Sequence, residues 1–358
     1  MVKVNKLIKL STNSSKVKSI IKNIKKISKH NRIDIKTYKT KLQGTNIPKH
    51  ISTNTITTNN SIYDYNKDDN KDDSKDDNKD EDNYIIAIPS YKRADTIQTK
   101  TLAVLQQNNI NPIHIHIFVA NKEQYDIYNK VIPQHLYGKI IIGLLGLKNQ
   151  RNYINDYYQE GTHVVEMDDD ISSIVQLIIK KNPRKSMKDS KRSKISKSKT
   201  YKPIKYIKPI ADLDTFIKNA FTICINNNSF IWGVYPIANA HFMTDTITKD
   251  LRFIVGPMWG MINRHIKDLK ATIDEKENTE RTLKYWTNDG IVVRFNNVSI
   301  VTRYYKNKGG MQSEGKDRKV EAMKSVEYLH KKYPRLTKIF LGKKSGVPEV
   351  KLMRMRHS

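Results

Sequence analysis

Three consecutive carboxylates, Asp168, Asp169 and Asp170, follow the apolar run THVVEM. Adjacent negative charges repel one another, so we expect a cation close by that neutralises them. Alternation along an extended segment places Asp168 and Asp170 on the same side of the chain. Mg²⁺ or Mn²⁺ prefers carboxylate oxygens and can bind phosphate groups at the same time. The triplet therefore predicts a metal site at Asp168 and Asp170, with a solvated acidic turn as the alternative.

A second segment with chemical potential is IAIPSYKRADT, in which a strand ends and a helix begins. Its junction residues are Pro89, Ser90, Tyr91 and Arg93. Backbone N–H groups and the Arg93 cation could meet a nucleotide at such a junction. The alternative is ordinary capping of the helix.

A third segment, GLKNQRNYIND, places Lys148, Arg151 and Asn152 at the start of the helix that precedes the acidic triplet. Lys148 and Arg151 are three residues apart, so they share a helix face and can neutralise a diphosphate. A solvated basic face is the alternative. The three segments follow one another within the 87 residues from Tyr84 to Asp170. It is less plausible that all three match a nucleotide and metal site by chance than that one of them does.

Strands alternate with helices from Tyr84 onward. The runs YIIAIP, IHIHIFVA, KIIIGLL and THVVEM indicate strands, and the segments between them have apolar residues at helical spacing. Short connections between such elements predict an α/β fold, a parallel sheet with helices on both faces. Ligands of these sheets bind at the carboxyl ends of the strands, where the three segments lie.

The second half of the chain continues the pattern with helices at DLDTFIKNAFTICINN, ENTERTLKYW and KVEAMKSVEYLHKKY. Strands are predicted near SFIWGVYP, ANAHFM, DLRFIVG and MWGMIN. IVVRF and SIVTRYY are predicted as two strands around an Asn-rich turn.

The net charge of +29 is concentrated in separate runs. Residues 1–50 hold 14 Lys and Arg against Asp34 alone, whereas residues 64–82 hold 10 acids and 4 lysines. Residues 180–208 hold 13 Lys and Arg against Asp189 alone. Clustered basic residues favour a polyanionic partner such as nucleic acid, although the Lys and Asn bias of the whole chain offers a compositional explanation.

These runs define the predicted domain organisation. Residues 1–83 form a largely disordered extension, basic and then acidic, because the acidic repeat has no apolar residue after Tyr65. Residues 84–341 form one domain that carries a basic loop insert at 180–208, and 342–358 form a basic tail.

Several classes of protein are excluded. Cys224 is the sole cysteine, so an intramolecular disulfide framework and a multi-cysteine zinc site are ruled out. No apolar run is long enough for a membrane span and MVKVNKLIKL lacks a signal-peptide core, so we expect a soluble, intracellular protein. His114 and His116 alternate on a strand without partners at ligand spacing and are expected to pack or face solvent.

The order P-S-Y-K-R, G-L-K-N-Q-R-N, M-D-D-D resembles the metal-dependent nucleotide-sugar glycosyltransferases with the GT-A fold. ENTERTLKYWTNDGIVVRFNN followed by YYKNKGGMQ resembles the TET-associated glycosyltransferases, which are similar to the proposed base J glucosyltransferases. The resemblance runs from Tyr84 to Gln312 and implies a GT-A-like, Rossmannoid mixed sheet with helices on both faces. It also implies a UDP-sugar donor, a hydroxymethylated base in DNA as acceptor, and a phage or large DNA virus as source. A viral enzyme would work in the host cytoplasm or nucleus.

The same resemblance implies roles for individual residues. Asp168 and Asp170 would serve the metal and the donor, so that Asp170 takes part in catalysis. Arg93 and Arg151 would lie near the diphosphate, and Asn121, just after the second strand, would approach the nucleobase.

The general base is left open between two glutamates. Many such transferases have an acidic pair at the start of a helix, and the corresponding stretch here reads Glu277, Asn278, Thr279, Glu280. Asn278 stands where the second acid is typical, so Glu280 and Glu277 compete for the role of base. Asp289 ranks last because Asn-Asp-Gly is a turn signal.

Residues for acceptor binding are also implied. Trp259 could stack on a sugar or a flipped base or pack in the core, while Trp286 is expected in the core. Gly309, Gly310 and Gln312 could form a loop against acceptor or donor phosphate, or a plain connection. Two other functions stay open: transfer to protein, lipid or glycan, and a basic nucleic-acid-binding protein without turnover.

Overall fold

The computed structural model describes residues 84–180, 203–302, 318–342 and 346–353. The chain divides into two units, Met1–Ser74 and Lys75–Ser358, and every described residue belongs to the second. The predicted disorder of the extension and the predicted loop roles of Gly309, Gly310 and Gln312 lie outside the described residues.

Strands and helices alternate through the described chain. The strands are β1 Ile85–Pro89, β2 Ile115–Val119, β3 Lys139–Ile142, β4 His163–Met167, β5 Ile171–Lys180, β6 Ile204–Pro209, β7 Ile231–Tyr235, β8 Ile247–Thr248, β9 Met258–Ile262, β10 Val293–Thr302, β11 Thr337–Phe340 and β12 Glu349–Leu352. The helices are α1 Ala94–Ile97, α2 Ala103–Gln107, α3 Lys122–Val131, α4 Leu147–Tyr157, α5 Leu213–Asn226, α6 Glu277–Asp289 and α7 Arg318–Lys332. A π-helical turn, Gln98–Leu102, joins α1 to α2. No helix of the described residues is long and apolar enough to cross a membrane.

One large sheet has the strand order β3-β2-β1-β4-β9-β7-β10-β5-β6, with β8 paired to β10. The first four strands in this order are parallel, as the alternation predicts. β9 runs antiparallel to both β4 and β7, and β5 runs antiparallel to both β10 and β6. The sheet is therefore mixed rather than wholly parallel, because β9 and β5 run back between their neighbours.

Helices cover both faces of this sheet, so the predicted fold class is confirmed. Ile86 and Ile88 of β1 belong to a core with residues of α1, α2, α3 and α5. Ala87 belongs to a second core with residues of α4 and α6. Neighbouring residues of a strand point to opposite faces, which is why the two cores share β1. Glu166 of β4 faces the α4 and α6 side, since it lies between Val165 and Met167 of the first core.

Several predicted elements differ from those observed. The segments ANAHFM and DLRFIVG are irregular rather than extended, and only Ile247–Thr248 between them forms a strand. The two strands predicted around an Asn-rich turn are one strand, β10, whose register with β7 shifts between Phe295 and Ser299. The shift accommodates Asn296, whose side chain bonds Thr246 and Thr248 instead of making a turn.

The basic insert differs as well. β5 and β6 form an antiparallel pair, so Lys180 and residues 204–208 belong to strands rather than to a loop. β5 starts beside the acidic triplet and runs for ten residues, which places Lys180 roughly 30 Å along the strand from Ile171. The insert therefore leaves the sheet at the end opposite the triplet, not beside it. In the predicted C-terminal tail, Glu349–Leu352 form β12, which pairs with β11.

Candidate active site

The acidic triplet and the PSYKR segment meet because β1 and β4 are parallel neighbours. Both strands end at the same end of the sheet, which we call the carboxyl end. Ser90 follows β1 there, and Asp168 follows β4. The three aspartates then differ in their partners, so each has its own chemical role.

Asp169 anchors the triplet on the α1 and α3 side. Ser90 Oγ donates to Asp169 Oδ2 at 2.6 Å, and Arg93 Nη1 donates to Asp169 Oδ1 at 2.8 Å. Tyr128 Oη lies 2.7 Å from Ser90 Oγ and accepts from the Arg93 backbone N–H at 3.0 Å. Burial raises the pKa of Asp169 to about 6, opposed by the Arg93 charge. The middle aspartate is therefore committed to structure.

A side-chain hydroxyl of the π-helical turn binds the backbone on both sides of the triplet. Thr101 Oγ1 donates to the Asp168 carbonyl at 2.7 Å and accepts from the Ile171 N–H at 3.0 Å. Thr101 is fully buried. π-Helical turns are frequent at functional sites because they re-aim a side chain. Sequence reasoning missed Thr101 and Tyr128, since a Thr or Tyr on an apolar helix face carries no signal of a distant partner.

Asp168 and Asp170 have partners different from those of Asp169. Arg151 Nη2 donates to Asp168 Oδ1 at 3.1 Å, and the Asp168 side chain is one-third exposed. Thr302 Oγ1 donates to Asp170 Oδ1 at 2.7 Å, and Asp170 Oδ2 lies 3.7 Å from Arg93 Nη1. Burial and the Asp170 charge raise the pKa of Asp168, and the Arg151 charge opposes them.

A buried network of arginines and glutamates continues the site between α4 and α6. Arg151 also donates to Glu166, and both side chains are buried. The Arg281 guanidinium stacks 3.7 Å over the Trp259 ring and donates to Asn278 Oδ1 at 2.9 Å. Burial and the nearby Arg151 charge lower the pKa of Arg281 to about 10.

An open cleft of about 430 Å³, measured to its mouth, lies over this network. Its walls come from α4, α6, β9 and the loop that precedes α6. The lining residues are Arg151, Asn152, Asn155, Glu166, Trp259, Met261, Leu269, Lys270, Ala271, Glu277, Arg281 and Tyr285. The predicted acceptor residue Trp259 is thus a buried wall of the cleft whose ring is covered by Arg281 on one face.

The surroundings of the two candidate bases are unlike. Glu280 accepts from the Thr272 N–H at 2.8 Å and from Thr272 Oγ1, and it pairs with Lys284 Nζ at 3.1 Å. Glu277 lines the cleft one turn of helix away, where burial raises its pKa and Arg151 and Arg281 oppose that shift. Glu280 is therefore held by Thr272 and Lys284, whereas Glu277 lines the cleft.

Asn278 has a packing role at the position where an acid is typical. A Cβ at Gly256 would lie 2.5 Å from Asn278 Nδ2, so the Asn278 amide packs directly on this glycine. Asp289, the last-ranked base candidate, accepts two bonds from Arg264 at 2.8 and 2.6 Å. The turn predicted there is observed, because Gly290 ends α6 with φ of +70°.

Three residues predicted to bind the donor have partners within the protein. Lys148 Nζ lies 3.8 Å from Asp274 Oδ2 and so pairs away from the triplet. Asn152 bonds the backbone of Ala271 in both directions, at 2.9 and 2.8 Å, and thereby joins α4 to the loop before α6. Asn121 caps α3 by accepting from the Gln124 N–H at 2.9 Å.

The remaining donor-binding candidates lie at the carboxyl end of β1. Pro89 is the buried last residue of the strand, and Tyr91 is partly exposed beyond it. Lys92, between Tyr91 and Arg93, has a positive φ of +55°, a conformation that is uncommon for residues other than glycine. Strained backbone of this kind is frequent at ligand-binding turns.

The donor set at Asp168 and Asp170 fits a hard divalent ion. In the part of the chain that the structure describes, no group of three or more His, Cys, Asp or Glu side chains forms a complete metal site. Mg²⁺ needs no such group, because it is usually bound by one or two carboxylates together with substrate phosphates and water. Asp168 and Asp170 supply two such carboxylates.

No protein-family model matches the sequence, and comparison with curated protein sequences gives no match. Among solved structures, the chain is similar to S. aureus TarS 1–349 in complex with UDP-GlcNAc, at 12% identity and a TM-score of 0.43 over 69% of this chain and 66% of that one. A second TarS structure has 11% identity and a TM-score of 0.38 over 70% and 44%. The chain thus spans less than two thirds of the length of either structure.

Proposed function

We propose that the protein is a metal-dependent glycosyltransferase of the GT-A type, which moves a sugar from a nucleotide diphosphate to a hydroxyl group. The observation that carries the proposal is the juxtaposition of Asp168 and Asp170 with Arg93, Arg151 and the cleft-lining Glu277 at the carboxyl end of one sheet. Such a donor set suits a diphosphate leaving group beside a base.

Each residue then has a chemical task. Asp168 and Asp170 would hold Mg²⁺ or Mn²⁺, which supplies charge neutralisation for the diphosphate. Arg93 and Arg151 orient these two carboxylates. Glu277 accepts the proton of the acceptor hydroxyl. The oxygen of that hydroxyl bonds to the anomeric carbon of the sugar as the bond between this carbon and the diphosphate breaks. The raised pKa of Glu277 makes it a stronger base than an exposed glutamate.

For the acceptor we propose a hydroxymethylated base in DNA, with a UDP-sugar as donor. Charge supports this choice, because residues 180–208 hold 13 Lys and Arg against one acid. In the described part of this segment, Lys180 and Lys208 lie 5.6 and 5.9 Å from the ring centre of Tyr206 on the outermost strand. This basic surface is remote from the triplet, so its contribution is to DNA affinity and not to chemistry.

The test is incubation of the purified chain with a panel of nucleotide-sugars, Mn²⁺ and duplexes that carry cytosine, hydroxymethylcytosine or hydroxymethyluracil. Nucleoside mass spectrometry reads the product. We expect one glycosylated nucleoside, and the same reaction without DNA should show slow hydrolysis of one donor. Hydrolysis of a nucleotide-sugar without a glycosylated DNA product would indicate that the acceptor is a protein, lipid or glycan. Absence of both activities with every donor would reject the enzyme in favour of a nucleic-acid-binding protein.

A further inference from the structure

The residue before Glu277 has an unusual backbone conformation. Lys276 is the N-cap of α6 and has φ of +66° and ψ of +19°. A β-carbon disfavours this left-handed region, and lysine has no side-chain oxygen that could cap the helix. Its positive charge also lies at the helix end where the helix dipole favours anions. Something outside the helix must hold Lys276 in place.

The holding contact comes from the far C-terminal part of the chain. Lys276 Nζ lies 3.1 Å from Glu349 Oε1, and the Lys276 side chain is mostly buried. Glu349 is the first residue of β12, which pairs with β11. We call α7, β11 and β12 together the C-terminal module.

The same module contacts the loop before α6 and the middle of α6. Tyr328 Oη of α7 lies 3.2 Å from Thr272 Oγ1, the hydroxyl that bonds Glu280. An apolar cluster joins Leu283 of α6 to Leu329 of α7, with Val350 of β12 packed against it. The module is therefore attached to the helix by an apolar contact, a hydroxyl pair and one ion pair.

Of these contacts, the Lys276–Glu349 ion pair lies closest in sequence to Glu277. One peptide unit separates Lys276 from Glu277, so a change in the Lys276 dihedral angles re-aims the Glu277 side chain. The conformation persists only while neighbouring contacts over-determine it. Without Glu349, Lys276 can relax toward the extended N-cap conformation that other residues adopt.

We propose that Glu349, acting through Lys276, fixes the start of α6 and so positions Glu277 for proton transfer. Glu349 is a positioning residue, because it contacts Lys276 and not the cleft. The assignment of Glu277 rests on the proposed function, whereas the conformational effect on α6 does not.

The test compares Glu349→Gln with wild type and with a control, Lys324→Gln. The control breaks the exposed Lys324–Glu321 pair on the same module, at 2.9 Å, away from α6. In Glu349→Gln we expect kcat to fall about 10-fold with the donor KM unchanged, since small misplacement of a catalytic group reduces the rate. Amide hydrogen exchange at residues 277–280 should be faster than in wild type and in the control.

Lys276→Gly supplies the decisive cross-check. Glycine adopts the left-handed conformation without a β-carbon penalty, so the helix start no longer depends on the ion pair. Adding Glu349→Gln to Lys276→Gly should then change neither kcat nor exchange. Equal effects of Glu349→Gln in both backgrounds, or exchange at 277–280 identical to that of the control, would overturn the proposal.

The exchange measurement also separates the two hypotheses. If wild type transfers no sugar but exchange responds to Glu349→Gln as expected, the proposed function fails and the positioning role of Glu349 stands. If transfer is observed but neither kcat nor exchange responds, the positioning role fails alone.

Discussion

The two ends of the sheet differ in the balance between buried positive and negative side chains. Among the described residues at the carboxyl end, three arginines lie near five carboxylates. The arginines are Arg93, Arg151 and Arg281, and the carboxylates are those of Asp168, Asp169, Asp170, Glu166 and Glu277. At the opposite end, where α6 finishes, Arg264 and Asp289 form a one-to-one pair with two hydrogen bonds, and the guanidinium lies 3.7 Å over the Phe230 ring.

This difference separates function from stability. In the Arg264–Asp289 pair each charge faces one opposite charge, so the pair neutralises itself without a ligand. Surplus carboxylates in a partly buried site repel one another and attract a cation, which is a cost unless a ligand uses them. The carboxyl end is accordingly where we expect substitutions to change activity, and the opposite end is where we expect them to change the free energy of unfolding.

Asp170→Asn should have the largest effect. An amide oxygen is a poorer ligand for a hard cation than a carboxylate, so metal binding is lost. Transfer should fall at least about 1,000-fold, because a bound metal contributes several kcal/mol of charge stabilisation. Steady-state transfer assays check this, with the exposed Asp126→Asn as control. Full activity in Asp170→Asn, or in excess EDTA, would remove the metal from the mechanism.

Asp289→Asn tests the opposite end. Removing one partner of a buried ion pair leaves Arg264 uncompensated, so the free energy of unfolding should fall by about 3 kcal/mol. Urea unfolding gives the change, and kcat at a temperature where the variant stays folded should equal that of wild type. If Asp289→Asn lowers kcat without lowering the free energy of unfolding, the expectation that the opposite end serves stability alone is wrong.

His116, also toward the opposite end, should make stability depend on pH. It is buried with Nδ1 2.7 Å from Tyr158 Oη, and burial lowers its pKa to about 4. The unfolded chain takes up the proton near pH 6.5, so between pH 6.5 and 4 the unfolded state binds more protons than the folded state. Stability is complete above pH 6.5 and falls as the pH drops toward 4, by up to roughly 3 kcal/mol.

The measurement for this group is urea unfolding of wild type and His116→Gln across that pH range. The difference in unfolding free energy between the two proteins should shrink as the pH falls. A constant difference would show that the pKa of His116 is the same in the folded and unfolded states.

The two glutamates of α6 sharpen the comparison within a single helix. Glu277→Gln should lower kcat about 100-fold with little loss of stability, as expected for a lost general base. Glu280→Gln should lower the unfolding free energy by roughly 1–3 kcal/mol because Thr272 and Lys284 lose a buried charged partner. Transfer kinetics and urea unfolding of both variants show which glutamate is the base. Reversed results would make Glu280 the base.

The basic insert should give the smallest effect. Replacing four lysines within 181–202 by glutamine should raise the KM for DNA and lower the logarithmic salt slope by roughly 0.9 for each phosphate group that the variant no longer binds. Donor hydrolysis without DNA should stay unchanged, because β5 carries the insert away from Asp168 and Asp170. Transfer across a salt series checks this, and parallel curves for variant and wild type would exclude the insert from DNA binding.

The sequence by itself determined the element types of the first half of the domain and the chemical character of one end of the sheet. Apolar periodicity identifies β1 to β4 and the helices between them, because these elements form from local patterns and short connections. The triplet after β4 and the PSYKR segment after β1 were identified for the same reason. Both follow strands whose carboxyl ends must coincide in a parallel pair.

Tertiary structure decided which partners these residues have. Asp169 is committed to Ser90 and Arg93, whereas Lys148 pairs with Asp274, and neither outcome follows from spacing. Glu280 and Glu277 are both acids in the first turn of α6, and only the Thr272 loop distinguishes them. Partners of this kind lie far apart in sequence, so no local pattern records them.

The course of β5, β6 and β10 was decided in the same way. Strand pairing is a long-range contact, and the register of β10 with β7 depends on where Asn296 finds partners across the sheet. The lysine-rich run gives no indication that its two ends pair as strands. The residues at one end pair with residues at the other end, more than twenty positions away, so no local pattern shows the pairing. Local preference fixes what each segment can form, and packing against distant segments selects what it does form.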